Sequence, residues 1–504
     1  MLAGVRNPYG SKVNFAAIGV LIVSMMAGIL LAIMASLGAH LYALVLAGGL
    51  VGLFLITQPT LMFPLLVLFI FLVDGLAQSV LGIGQVQWLI SGLGLAILAS
   101  YMLRLSRPAN PPLPRGQSFV LTPISVATLV FFSILAASTA INRVEFGQLI
   151  VGLRSYVAMW GVFVFVAAGY YEERTVRRLF FALMVVAAIQ WPFAIYQHFF
   201  VVAEREALRI FGSSWDSVVG SFGGSKFGGG QSSSLAIFLV VMVVLATSLL
   251  KHGLLRKSIF FALLCAVLLA LGLAETKVIF VLIPFGLALL YRAEIIRRPV
   301  RAIGGALLMA TLLALVLFSY HTLYWEGRRN LNTSDDIVER FTYSFKPDYY
   351  AAGIWPGRVT ALNIWADKTD LQSNPVAVLI GHGAAAAVSS SAIIGQGELT
   401  RKYGVGLEAS GGSKLLWETG LLGLVSFLLL PVAGYFCAGR ALKRGVENLT
   451  DRAILEAVQA SMPLLAIVVF YETTVVSVPP MQFLLMLGLG YAQYWYLKTR
   501  PPRR

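Results

Sequence analysis

Glu408-Ala409-Ser410-Gly411-Gly412-Ser413-Lys414-Leu415-Leu416-Trp417-Glu418-Thr419-Gly420-Leu421-Leu422-Gly423 is where a polar segment of this chain becomes an apolar one. The apolar run reaches about residue 437, long enough to cross a hydrocarbon layer as a helix of ~20 residues. Upstream, residues 322–412 form the longest interval between apolar runs, and intervals of that length are functional or disordered. This one has the composition of an ordered segment. It carries Trp325, Tyr343, Phe345, Tyr349, Tyr350, Trp355 and Trp365. It also holds two helix starts, Ser334-Asp335-Asp336 before Ile337 and Pro356-Gly357 before Arg358, with Val359, Leu362 and Trp365 on one face of the second.

Working outward, hydrophobic residues make up 58% of the 504 and charged residues only 12%, about half the charge of a soluble domain. The apolar runs are unbroken and lack the period-two alternation of a membrane β-barrel. The spanning elements are therefore helices, which satisfy every backbone polar group internally. Fourteen candidate spans lie at about 13–36, 38–58, 60–74, 85–103, 119–140, 150–169, 179–199, 232–250, 258–274, 277–291, 302–321, 413–437, 454–474 and 478–497. The expected class is an all-α polytopic membrane protein. Residues 1–321 hold the first eleven spans, 322–412 an outer loop or lid, and 413–504 the last three spans and a basic tail. A shorter outer segment is expected at 201–231. The first apolar run is long enough to span and lacks a small-residue cleavage site, so it reads as a span rather than a signal.

The net charge of +15 is explained by topology. With the N-terminus inside, each inner segment is basic: Arg6 and Lys12; Arg104, Arg107 and Arg115; Arg174, Arg177 and Arg178; Lys251, Arg256 and Lys257; Arg292 to Arg301; Arg440 to Arg452; Lys498 to Arg504. These hold 23 of the 38 basic residues and six of the 23 acids. That bias satisfies the positive-inside rule with both termini cytoplasmic, and it accounts for the charge through lipid head groups without nucleic acid.

Several chemistries are excluded. Gly224-Ser225-Lys226 does not fit a phosphate-binding loop. The five histidines lack metal-ligand spacing, Cys265 and Cys437 form no framework, and no nucleophile elbow is present, so no metal or cofactor is expected. What remains are charges in or beside the outer half of the membrane. Arg154, in Gly152-Leu153-Arg154-Ser155-Tyr156, is an anion ligand or a residue that snorkels to the surface. Glu275 and Lys277 flank a short outer turn and can pair locally. Arg209 and Lys226 lie in the shorter outer segment, and Arg358, His382, Glu398, Arg401, Lys402, Glu408 and Glu418 in or beside the longer one. Basic groups with carboxylates alongside suit an anionic, lipid-linked substrate. Arginine holds phosphate through its fork of donors, and a carboxylate can deprotonate a hydroxyl. The aromatic residues of the long loop fit either interfacial anchoring or packing around sugar rings.

At these residues the chain resembles the superfamily of O-antigen ligases and Wzy-type polymerases, bacterial inner-membrane proteins that join polyprenyl-diphosphate-linked glycans. The resemblance rests on Gly357-Arg358 with Trp365 after it, on the Leu-x-Gly-x-Gly of Leu379 to Gly383, and on Leu415 to Gly423. Gly220-Ser221-Phe222-Gly223 is a shorter match. The convincing cover is about residues 357–430. Two positions depart from the family pattern. Glu408-Ala409-Ser410 stands where ligases carry a His-Asn pair, and Ser217-Val218-Val219 stands where an arginine precedes the glycine, leaving Arg209 or Lys226 to replace it.

The resemblance implies a GT-C-like fold and a metal-independent, inverting glycosyl transfer at the periplasmic face. An acceptor hydroxyl attacks the anomeric carbon and undecaprenyl diphosphate leaves. Arg358, with Arg154 or Lys226, would neutralise the diphosphate, and Glu408 would be the base. Arg209, Lys277, Arg401, His382 and Tyr156 complete the expected substrate-binding set. Implied partners are the lipid-linked glycan donor and acceptor, membrane lipids, and a chain-length regulator or export proteins. The missing His-Asn pair and the count of fourteen spans favour a polymerase making surface polysaccharide (O-antigen or exopolysaccharide) over a ligase to lipid A core. The rival readings are a polysaccharide or lipid transporter, which would place charges near the midplane, and a non-catalytic export subunit.

Overall fold

A computed structural model describes residues 59–79, 82, 86–105, 121–208, 214–224, 231–325, 337–351 and 353–501. The expected spans at 13–36 and 38–58 lie outside the described residues, as do Arg209 and Lys226. The site lies in the compact unit Phe63–Arg504.

The chain is an all-α polytopic membrane protein. Among the described residues, nine helices are long and apolar enough to cross a membrane, or ten if one bent pair counts as a single span. In chain order, α1 is Leu61–Gln78, α2 Val86–Leu105 and α3 Pro123–Ile141. Helices α4 (Phe146–Tyr156) and α5 (Trp160–Ala167) form the bent pair, at 44°. Then come α6 (Glu173–Ala207), α7 (Ser232–Lys251), α8 (Lys257–Ala274), α9 (Ile279–Leu290) and α10 (Pro299–Tyr324). The long interval between α10 and the next spanning helix contributes α11 (Ile337–Thr342), α12 (Arg358–Lys368), α13 (Pro375–Ile380) and α14 (Glu398–Tyr403). Helices α15 (Gly411–Arg444), α16 (Leu449–Tyr471), α17 (Thr474–Ser477) and α18 (Pro479–Lys498) close the chain.

Burial separates the inner helices from the outer ones. In α7, apolar all round, 83% of the spanning window is buried, whereas in α10 the figure is 6%. The first is enclosed by other helices and the second faces lipid. Helix α18 coincides with the expected last span but is not among the nine. Its Gln482, Gly488, Gly490, Tyr491 and Trp495 lower its apolarity, and all of them are buried against protein rather than lipid.

Two expectations need adjustment. The outer segment placed at 201–231 begins later, because α6 continues through a π turn at Gln197–Val202 to Ala207. Residues Val218 to Phe222 are buried rather than lying over the surface. Their amides are satisfied by glutamines of α6: Gln197 Oε1 accepts from Val219 and Gly220, and Gln190 Oε1 from Ser221. Such irregular backbone persists inside a bundle only with protein partners of this kind. The same long interval also contains a short antiparallel ribbon, β1 (Tyr350–Ala351) with β2 (Trp355–Pro356), which turns the chain into α12.

Candidate functional site

Two glycines fix the centre of the site. Helix α15 is interrupted at Gly420, at φ 69° and ψ −171°, and α13 ends at Gly381, at φ 76° and ψ −163°. Only glycine adopts such angles without strain. The two backbones cross there. A Cβ on Gly420 would lie 2.4 Å from the Leu379 carbonyl carbon, and one on Gly381 would lie 2.5 Å from that of Glu418. Breaking a helix frees carbonyls that lipid cannot satisfy, and the loop supplies their donors. His382 N–H donates to Trp417 O at 2.9 Å and Gly383 N–H to Glu418 O at 3.0 Å. Ser138 of α3 ties the crossing together, donating to Glu418 O at 2.8 Å while its Oγ accepts from Gly383 N–H at 2.9 Å.

The first turns of α15 carry a buried charge group. Ser410 caps the helix, its Oγ accepting from Ser413 N–H at 3.1 Å, which sets Glu408 just before the helix and Lys414 in its first turn. Lys414, 1% exposed, lies between two carboxylates: its Nζ is 2.7 Å from Glu408 Oε2 and 3.4 Å from Glu418 Oε1. Glu418 is fully buried, and its Oε2 accepts from Tyr156 Oη at 2.8 Å and Ala385 N–H at 2.9 Å. Glu408 is partly exposed and its Oε1 accepts from Ser389 N–H at 2.8 Å. A buried charge needs such pairing to persist, and here every member of the group is held by another.

Arg358, the first residue of α12, reaches the C-terminal end of α16, where helix carbonyls favour a cation. Its Nε donates to Tyr471 O and its Nη1 to Ser344 Oγ. The guanidinium lies over the rings of Tyr471 at 3.9 Å and Phe345 at 5.5 Å, leaving its other donors for an anion. Next to Tyr471, burial raises the Glu472 carboxyl above its usual range, an effect that Arg358 opposes and Glu408 reinforces. Gly411 N–H donates to Glu472 O at 3.2 Å, which brings the chain just after Glu408 to the same helix end as Arg358.

A second group of charges adjoins this one. Lys277 Nζ is 3.4 Å from Glu275 Oε1 and 4.8 Å from the centre of the Tyr343 ring. Burial and then Glu275 push the Asp216 carboxyl up to about 7, against the pull of Arg205 and Lys277, with Glu472 adding a smaller upward effect. Burial, Glu275 and Asp216 push the Tyr343 hydroxyl up to about 12, and Arg358 pulls it down.

The other expected residues lie elsewhere or play plainer parts. Tyr156 joins the group through Glu418. Arg154, two positions away on α4, points from another face of the helix; it donates to Gln87 Oε1, stacks 4.7 Å from the Trp88 ring and interacts with the buried Asp74. His382 is held by Trp417, its Nδ1 3.2 Å from the carbonyl oxygen and its ring 5.8 Å from the indole, and burial lowers its pKa. Arg401 is exposed on α14. Of the loop aromatics, Trp365 packs with Tyr403 on the cluster of Leu399, Leu407 and Trp417, which ties this part of the interval to α15. Among the described residues, no group of three or more His, Cys, Asp or Glu is placed to hold a metal ion.

Sequence reasoning did not single out Lys414, Glu472, Asp216, Arg205 or Tyr471. The available signal was an ionisable residue at the end of an apolar run, seen at Glu472 after Val468-Val469-Phe470-Tyr471 and at Lys414 before Leu415-Leu416. No protein-family model matches the sequence, and no curated protein matches it significantly.

Proposed function

We propose that this protein polymerises undecaprenyl-diphosphate-linked oligosaccharide repeat units into a surface polysaccharide, as a GT-C-like glycosyltransferase of the bacterial inner membrane. In this reading the fold has fourteen spans, both termini are cytoplasmic, and residues 322–412 are a periplasmic lid. The observation that carries the proposal is a meeting at the end of α16: Gly411, three residues after the partly exposed carboxylate Glu408, donates to Glu472 O at 3.2 Å, and Arg358 donates to the adjacent Tyr471 O. That is the minimum an inverting transfer from a diphosphate requires.

In the reaction, Glu408 takes the proton of an acceptor hydroxyl as its oxygen attacks the anomeric carbon. The bond from that carbon to the diphosphate oxygen breaks, and the electron pair leaves with undecaprenyl diphosphate. Arg358 neutralises the charge that grows on the leaving group. Stabilisation aimed at developing charge contributes about 3–4 kcal/mol per donor. The broken helix supplies rigid placement for Glu408, and the lid supplies Arg358.

The test is purified protein with lipid-linked repeat units. The expected product is a ladder of oligomers, lost in Arg358→Ala and Glu408→Gln protein of normal yield. Single-step transfer to lipid A core would replace the polymerase reading with that of a ligase. No transfer to either acceptor would favour a transporter or export subunit.

A further inference from the structure

A carboxylate bonded to a lone buried ammonium is a poor base, because taking a proton would strand the cation. Glu408 avoids that problem through Glu418. Lys414 Nζ bridges the two carboxylates, at 2.7 Å from Glu408 Oε2 and 3.4 Å from Glu418 Oε1, and it is 1% exposed. At rest the three groups sum to one negative charge. When Glu408 accepts a proton they sum to zero, and Lys414 keeps Glu418 as its partner. Without Glu418, the same proton would leave a bare ammonium buried, a state that proteins avoid.

From this arrangement we infer that Glu418 is a positioning residue that tunes the proton affinity of Glu408 through Lys414. Glu418 touches no substrate. Its own orientation is set by Tyr156 Oη and Ala385 N–H, both on Oε2, which leaves Oε1 facing the ammonium. The other groups bearing on Glu408 are the Ser389 amide on its Oε1, Glu472 at the end of α16, and Tyr156. Glu472 acts in the same direction as Glu418 but has no ion pair to Lys414. Glu418 is therefore the group whose loss leaves Lys414 to Glu408 alone.

The inference rests on the proposed base role of Glu408, and its test separates the two. Glu418→Gln keeps an oxygen for Tyr156 and Ala385 and removes the charge that faces Lys414. Lys414→Met keeps the length of the side chain. Unit charges a few ångströms apart shift titration by about one pH unit in water-like surroundings and about three at a protein-like dielectric. The acid limb of the ladder-forming rate should therefore move down by an amount in that range in Glu418→Gln and up in Lys414→Met. Glu418→Asp should restore part of the first shift. A parallel readout needs no substrate: the pH-dependent infrared band of the Glu408 carboxyl, identified as the one lost in Glu408→Gln, should move in the same opposite directions. If both variants lower the rate while limb and band stay in place, Glu418 and Lys414 are merely structural and the inference is overturned. If wild-type protein forms no ladder but the band moves as stated, the tuning stands and the proposed reaction fails.

Discussion

Gly420→Ala tests the crossing on which the site is built. Gly420 occupies a backbone region open to glycine alone, and holding alanine there costs about 1–3 kcal/mol. The new Cβ would also sit 2.4 Å from Leu379 C and 2.5 Å from Ile380 N. Both are backbone atoms, so α13 and α15 must separate. Separation lengthens the His382 and Gly383 amide bonds to the carbonyls of Trp417 and Glu418. Leaving such buried groups unpaired costs about 1–3 kcal/mol each. With partial loss of both, the expected destabilisation is about 3–5 kcal/mol. Gly381→Ala meets Glu418 C at 2.5 Å across the same crossing. Because either variant forces the same separation, the double variant should fall short of the sum by more than ~0.5 kcal/mol, the usual limit of additivity. Reversible SDS titration in mixed micelles, followed by tryptophan fluorescence, measures all three. A cost below ~1 kcal/mol for Gly420→Ala, or strict additivity, would refute the crossing.

Two further outcomes follow from other parts of the molecule. Asp216, pushed up to about 7 by burial and Glu275, binds a proton in the folded state that the unfolded chain has released. Stability should therefore fall as pH rises from about 4 to 7, and Asp216→Asn should flatten that slope; equal slopes in the two proteins would contradict the burial argument. Asp451 is fully buried, with Oδ2 2.6 Å from Arg177 Nη1 and Oδ1 accepting from Tyr491 Oη at 2.8 Å. Asp451→Asn removes the nearer of the two carboxylates of the partly exposed Arg177, leaving Glu173 at 3.9 Å, and should cost about 1–3 kcal/mol. Asp451 lies at the start of α16, some 30 Å along the helix from Glu472, so transfer per folded molecule should be unchanged. A lower kcat at full folding would place this inner ion pair in the catalytic unit.

Part of the long interval was readable because its signals are local. The starts of α11 at Ile337 and of α12 at Arg358 follow from Ser334-Asp335-Asp336 and from Pro356-Gly357. The Glu275–Lys277 pair, two residues apart, also needed no fold to foresee it. Arg154 shows the limit. Its position within a span was plain, but its partners Gln87 and Asp74 are more than 60 residues away in sequence. The pairing of Glu408 was equally hidden. Glu408 and Lys414 are close in sequence, but only the helix beginning at Gly411 brings them to 2.7 Å.

Apolar content and the spacing of apolar runs settled the membrane class, because hydrocarbon admits only segments long enough to cross it with their backbone bonds made internally. The sequence also singled out Glu408 and Arg358 within the long interval and Glu418 within the span that follows it. Which of them belong together was decided by tertiary structure alone. A carboxylate buried in low dielectric survives only beside its counter-charge, and that neighbour comes from whichever helix packs there: Tyr156 from α4 for Glu418, the end of α16 for Arg358. Gly420 belongs to both levels. Its place in Glu418-Thr419-Gly420 is visible in the sequence, but the need for a glycine there arises only where α13 crosses α15 and leaves no room for a Cβ.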